Sequence, residues 1–190
     1  HENNLVATET SLPCVEFDGT GDWLALPTSS DFSIGTSDDF TFEAFIYPTA
    51  VSDTTTFGIG VTNPGFAYRI ISGTPYIYID NIGGWLNTGT IVANKWTHIA
   101  VTRSSGTLYS FIDGALAGSV ANTGSIDGTQ GNYVGAANIV GSASPTYLFT
   151  GQISNVRFLK GTALYTAAFT IPATPLTNVT NTKLLCCQSD

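Results

Sequence analysis

Trp96-Thr97-His98-Ile99-Ala100-Val101-Thr102-Arg103, followed after a short gap by Leu108-Tyr109-Ser110-Phe111-Ile112-Asp113-Gly114, reads as two adjacent strands and a tight turn. Ile99 and Val101 fall on one face and His98 and Thr102 on the other, the period-two alternation of a half-buried strand. Asp113-Gly114 is a strong short-range hairpin signal, because glycine takes a positive φ without steric cost. Ala115-Leu116-Ala117-Gly118-Ser119-Val120 supplies the return strand.

Outward from this centre the same pattern recurs. Residues 14–18 form a short strand ended by Gly19-Thr20-Gly21-Asp22, and residues 23–26 resume it until Pro27 removes a backbone donor. Residues 40–47 are a strand stopped by Pro48. Phe40, Phe42, Ala44 and Ile46 share one face, Glu43, Phe45 and Tyr47 the other. Bulk on both faces predicts a central strand covered on two sides. Further strands are expected at 56–61, 66–72 and 75–80, with a reversal at Gly73-Thr74, a turn at 81–84 and a lead-in at 85–89. Beyond the hairpin, residues 121–145 are rich in Gly, Asn and Ser, with one short strand near Tyr133-Val134. Residues 148–159 form a long strand with Val156 and Phe158 inward, and residues 183–188 close the fold. Regularly spaced strands with turn residues between them predict an all-β, two-sheet antiparallel sandwich at 13–190, preceded by an N-terminal arm or linker at 1–12.

The composition agrees. At 190 residues with 43% hydrophobic side chains, the chain can bury one good core. Six Lys+Arg stand against fourteen Asp+Glu, a net charge of −8, and Arg69, Lys95, Arg103, Arg157, Lys160 and Lys183 are scattered. Binding nucleic acid requires a clustered positive stripe, and anionic membranes attract basic patches, so neither is an expected partner. There is no methionine, so His1 reads as the start of a processed product or fragment. Three cysteines are too few for a disulfide framework. Cys14 sits at the first strand and Cys186-Cys187 in the last, which leaves a terminal staple or buried free thiols as alternatives.

Four segments carry a family resemblance. W-T-H-I-A-V-T with L-Y-S-F-I-D-G, V-E-F-D-G-T-G-D-W-L (15–24), D-F-T-F-E-A-F-I-Y-P (39–48) and F-T-G-Q-I-S-N-V-R (149–157) resemble, in order, the strands of laminin-G-like, concanavalin A-type jelly rolls. In this likeness residues 15–24 take the place of the first hairpin. The tail K-G-T-A-L-Y onward (160–185) resembles laminin-G-like modules in structural proteins of tailed bacteriophages and other aquatic viruses. The resemblance implies a jelly roll that binds more often than it catalyses, carried on a virion surface or otherwise extracellular.

Retaining glycosidases need two carboxylates about 5–5.5 Å apart. Glu43 is the one acid inside its strand, and Glu16 and Asp18 lie at a strand end, so Glu43 and His98 read as structural and the chain as non-enzymatic, with no catalytic residue. The resemblance implies a rim calcium ion, which takes six to eight oxygens. The loop candidates are Asp80, Asn81 and Asp127, with Asn122 and Asn138, although Asp and Asn in loops are commonly turn formers. Glycan binding calls for an aromatic platform beside directed polar groups. Trp85 is the predicted platform, Asn87 its neighbouring polar group, and Tyr133 and Tyr147 flank the long loop. Trp96 reads as a core anchor. The expected function is therefore carbohydrate or host-surface adhesion, with a glycan or host receptor as partner. The alternative is a capsid-decoration or appendage module bound to neighbouring virion proteins or to itself. A glycan-cleaving enzyme comes third.

Overall fold

Alternation around Val101 continues through two antiparallel sheets. The structure is a computed structural model and describes residues 13–60, 65–79, 86–87 (backbone only), 89–138 and 144–188. The expected arm at 1–12 and the turn at 81–84 lie outside the described residues. In chain order the strands are β1 (Val15–Asp18), β2 (Leu24–Leu26), β3 (Phe40–Pro48), β4 (Asp53–Ile59), β5 (Phe66–Ile71), β6 (Thr74–Ile79), β7 (Leu86–Asn87), β8 (Thr97–Ser104), β9 (Thr107–Ile112), β10 (Ala115–Ala121), β11 (Asn132–Val134), β12 (Thr150–Lys160) and β13 (Thr182–Cys186), with a 3-10 turn at Ser30–Phe32. The first sheet runs β1-β12-β3-β8-β9-β10 with β13 also on β12, and the second β2-β11-β4-β5-β6-β7.

Asp113 (φ 50°) and Gly114 (φ 75°) form the expected hairpin turn, and Ser105-Gly106 and Ser72-Gly73 repeat its pair of positive φ angles. Both central residues in the left-handed region mark a turn whose twist matches the strands it joins. The β5–β6 reversal therefore sits at Ser72-Gly73, one residue before the predicted position, because Ile71 pairs with Thr74. Residues 15–24 are not a hairpin. β1 pairs with β12 and β2 with β11, so the turn at 19–22 carries the chain from one sheet to the other. A local turn signal marks the bend but not the distant partners.

The core lies between the sheets. Phe42 of β3 stacks on Phe57 of β4 at 4.5 Å between ring centroids and 8° between planes, joining the layers at their centre. Around that pair lie Phe40, Ile46, Ile99, Val101, Val156 and Phe158 from the first sheet and Ile59, Phe66, Tyr68, Ile70 and Ile77 from the second, all essentially inaccessible. Arg103 is buried at the edge of this core, beside the Phe40 ring. Its Nε donates to Asp38 O at 2.8 Å, Nη1 to Gly124 O at 2.5 Å, and Nη2 to Gly35 O. One guanidinium thus satisfies carbonyls from two loops, before β3 and after β10, that also meet in a bridge between Ile34 and Ile126. Trp96 is only half-buried, against Tyr47 at 5.6 Å, so it is not the core anchor expected from its size.

The outer face of the first sheet is also buried. Thr41, Glu43, His98, Ala100, Thr102 and Phe111 are all inaccessible or nearly so. An irregular strap, residues 161–181, crosses that face between β12 and β13. Thr41 Oγ1 donates to Thr162 O (2.8 Å) and accepts from Leu164 N (2.9 Å), and Thr102 Oγ1 donates to Tyr165 O (2.5 Å). Phe169 N donates to Gly114 O at 2.9 Å, so close that a Cβ on Gly114 would lie 2.1 Å from the Phe169 carbonyl. The Tyr165 and Phe169 rings stack at 3.6 Å and meet Phe111 edge-on.

Glu43 sits beneath the strap. Its Oε1 accepts from Arg157 Nε (2.9 Å) and Nη2 (2.5 Å), and its Oε2 accepts from Tyr165 Oη (3.0 Å) and faces His98 Nε2 (3.2 Å). Burial pushes the Glu43 carboxyl up, but the His98 hydrogen bond and the Arg157 charge outweigh it and hold the group below the ordinary carboxylate range. Arg157 Nη1 continues to Thr177 O at 2.9 Å, tying the far end of the strap to the same carboxylate.

Two outcomes are expected. Glu43→Gln leaves a buried guanidinium without its counter-charge and lowers stability by about 3–5 kcal/mol at pH 7 in urea unfolding. Because the folded group's pKa is depressed, its contribution is complete above the ordinary Glu value near 4.3 and fades as the pH falls through the lower folded value. The gap between wild type and variant therefore narrows in acid. Arg103→Met removes the donors to the carbonyls at 35, 38 and the buried 124 and costs on the order of 3 kcal/mol, with the midpoint shifted and the slope of the urea transition unchanged.

Candidate functional site

Two registers define the outer face of the second sheet. Tyr133, Gly58, Ala67 and Tyr78 stand in one row across β11, β4, β5 and β6. Thr55, Arg69, Tyr76 and Asn87 stand in the next, across β4, β5, β6 and β7. Phe57, Phe66, Tyr68, Ile77 and Val134 point inward, so Tyr133, Ala67, Tyr78, Arg69 and Tyr76, which alternate with them, point out. Ala67, Arg69, Tyr76, Tyr78 and Tyr133 are all half-buried, unlike the covered centre of the first sheet's outer face.

Part of this face is roofed. The chain leaving β11 folds back over β4, with a bridge between Ala137 and Thr146 whose two N–H···O bonds measure 3.1 and 2.7 Å. Gly58 has no side chain for a steric reason, since a Cβ there would lie 2.8 Å from Ala136 O. Tyr147 (φ 54°) ends the roof: its carbonyl accepts from Thr55 N at 2.7 Å, and its ring lies 3.4 Å from the Arg69 guanidinium. Arg69 in turn donates from Nε and Nη2 to the two oxygens of Asp53, both at 2.6 Å. Fork-to-fork pairing and stacking hold the guanidinium flat against the sheet. Where the roof meets β5 and β6, a crevice of about 20 Å³ is lined by Ala67, Tyr78, Ala137 and Asn138. Asn138 Oδ1 is buried there without a hydrogen-bond partner. The arrangement offers half-buried aromatic and guanidinium groups beside the exposed Asp53 carboxylate, which suits a ligand with hydroxyls on an apolar ring.

Three of the four expected ligand-binding residues meet on this sheet. Tyr133 and Tyr147 lie on its roofed half, and Asn87 occupies a register position on its open half, opposite Tyr76. Trp85 lies outside the described residues. Arg69, Tyr76 and Tyr78 carry a sequence signal of their own, the alternation of 66–71 and 74–79 that puts them on one face, whereas Asp53 joins them only through the pairing of β4 with β5.

Of the calcium candidates, Asp80 and Asn81 lie outside the described residues. Asp127 is committed to its own turn: Oδ1 accepts from Thr129 N (2.9 Å) and Oγ1 (2.6 Å), and Oδ2 from Gln130 Nε2 (3.1 Å). Those donors, the Thr129 hydroxyl foremost, hold the carboxyl below its ordinary range. Asn122 faces inward, accepting from Gly124 N and Arg103 Nη1. Among the described residues, no three His, Cys, Asp or Glu side chains cluster as a metal site would require. Glu43, the acid inside a strand, is shielded by Tyr165 and cannot touch a ligand from solvent.

A family model described as the concanavalin A-like lectin/glucanases superfamily matches residues 18–166. Domains LG4-5 of the mouse laminin alpha1 chain superpose with a TM-score of 0.58 at 18% identity, covering 76% of this chain and 40% of that one. The Ruminococcus gnavus IT-sialidase CBM40 bound to alpha2,3 sialyllactose gives 0.60 at 13% identity over 74% and 85%. Domain 4 of AbnA, a GH43 extracellular arabinanase from Geobacillus stearothermophilus, in complex with arabinotriose, gives 0.55 at 17% over 79% and 71%. This chain thus spans about two-fifths of the laminin chain's length. No curated protein matches the sequence. With both sheets and the family model in agreement, the chain belongs to the concanavalin A-like lectin/glucanase superfamily.

Proposed function

We propose that this domain is a non-enzymatic carbohydrate-binding module whose ligand lies on the outer face of the second sheet, over β5, β6 and β7. The observation that carries this reading is the flat Arg69 guanidinium, fixed between Asp53 and the Tyr147 ring beside Tyr76 and Tyr78 on a sheet face left open. A sugar has apolar C–H faces that stack on such surfaces and hydroxyls that pair with Arg69 and Asp53. Two proteins with this fold were solved with oligosaccharides, sialyllactose and arabinotriose, which supports the ligand class without placing the site. The resemblance of the tail to viral structural modules favours a place on a virion surface, where the sugar would be a host glycan.

The test is a glycan array with the purified chain, in calcium and again in EDTA, followed by titration of the best ligand. Tyr76→Ala and Arg69→Ala are expected to weaken binding at least about tenfold, the loss of one stacked ring or one charge-assisted pair, with the melting temperature nearly unchanged. Binding that survives EDTA assigns recognition to this face. Binding that EDTA abolishes, with both variants unaffected, overturns the placement and moves the site to the loop carrying Asp80 and Asn81. Silence across the array at high protein concentration favours a decoration or appendage role.

A further inference from the structure

The first and last strands of the domain meet on one edge of β12. Val15 lies opposite Ile153 and Cys186 opposite Val156, so β1 and β13 run the same way along that edge, one ending where the other begins. The gap between them falls at Ser154 and Asn155. Asn155 N donates to Cys187 O at 2.8 Å, and Ser154 Oγ donates to Pro13 O at 2.5 Å. Cys14, next after Pro13, and Cys187 therefore flank the same break in the sheet. Cys186 Sγ is 3.6 Å from Cys187 Sγ, and none of the three cysteines is in a disulfide. Cys187 is 7% exposed, whereas Cys14 and Cys186 are half-buried.

We propose that Cys14, Cys186 and Cys187 are a thiol relay which a small-molecule disulfide converts into a Cys14–Cys187 disulfide, closing the break between the first and last strands. Cys186 is the entry point, being the more accessible of the adjacent pair. The Cys187 hydrogen bond lowers its pKa, while that same contact, together with burial, raises that of Cys187; a thiolate at Cys14 would raise it further. The Cys186 thiolate attacks the external disulfide, forming a mixed disulfide and expelling one thiolate, which takes the proton Cys186 lost. Cys187 attacks Cys186 Sγ and expels the second external thiolate, which takes the Cys187 proton. The resulting disulfide joins adjacent residues, whose Cα atoms stand about 3.8 Å apart, below the usual window of about 4.4–6.8 Å, and is therefore strained. The Cys14 thiolate then attacks Cys187 Sγ, expelling Cys186 as thiolate, which recovers the proton Cys14 gave up. One external disulfide is reduced to two thiols, two protein thiols are oxidised to one disulfide, and Cys186 ends as a thiol.

The test treats the full chain with excess oxidised glutathione, blocks free thiols, and maps linkages by tandem mass spectrometry without reduction. The expected product links Cys14 to Cys187 with Cys186 alkylated, and its melting temperature exceeds that of the reduced chain by roughly 5–10 °C, as closing a loop of almost the whole chain implies. Cys186→Ser is expected to reach the same linkage more slowly, because glutathione must then enter at Cys14, away from the adjacent pair, or at the buried Cys187. Cys14→Ser stops at a labile adduct with no gain in melting temperature, while its reduced form melts like the reduced wild type. A wild-type end product linked Cys186–Cys187, a lasting glutathione adduct, or three alkylated thiols would overturn the proposal. The wild-type map alone decides, whatever the variants do.

Discussion

A carboxylate fully removed from water must be matched by donors at both oxygens, and at Glu43 those donors come from three separate parts of the chain. Arg157 approaches from the neighbouring strand β12, His98 from β8 on the other side, and Tyr165 from the strap above. Burial alone would protonate this group, so its charge depends on all three being in place, and their positions depend on its charge. The network thereby sets which strands neighbour β3 and fixes the strap over them. The Tyr165–Phe169–Phe111 rings then seal the site from solvent. A domain that would otherwise have two layers gains a third, irregular one on its first sheet. Its second sheet keeps Arg69, Tyr76 and Tyr78 only half-buried on its outer face.

Much of this architecture was legible in the sequence because its signals are local. Alternation in 97–104 and 40–48 marked the two central strands, and Asp113-Gly114 marked the hairpin with the φ angles the structure shows. Local signals could not say what covers a face. His98 and Thr102 are polar and alternate with Ile99 and Val101, the pattern of a solvent-facing side, yet both are buried because residues 161–181 lie across them. The strap has no period to betray it: it uses single apolar anchors, Tyr165, Phe169 and Leu176, and bonds to side chains rather than to a ladder. The bulk at Phe45 and Glu43 did forecast a two-sided cover without naming it. The turn at 19–22 was misread as a hairpin for the same reason, since the partners of β1 and β2 lie more than a hundred residues away.

The candidate site was legible in part. Tyr133 and Tyr147 were chosen as the aromatics flanking the long loop, and they lie on the second sheet because that loop folds back over β4 rather than projecting at the rim. Arg69 and Asp53 are sixteen residues apart, in strands that only the register brings together, so no spacing rule connects them. The acid picked from a loop, Asp127, turned out to serve its own Asx turn, the ordinary use of aspartate there.

The strap has a further consequence, for the order in which the chain acquires its structure. β3, β8 and β9 are complete once Ile112 has been made, but the ring and hydroxyl of Tyr165 that cover their outer face arrive some fifty residues later. Until then Phe45, Phe111 and a Glu43 still without Arg157 and Tyr165 face water on the sheet, a surface prone to sticking to other chains. Residues 161–181 thus act as a built-in late chaperone for the sheet they cover. A nascent chain that stalls before them carries its most vulnerable surface uncovered.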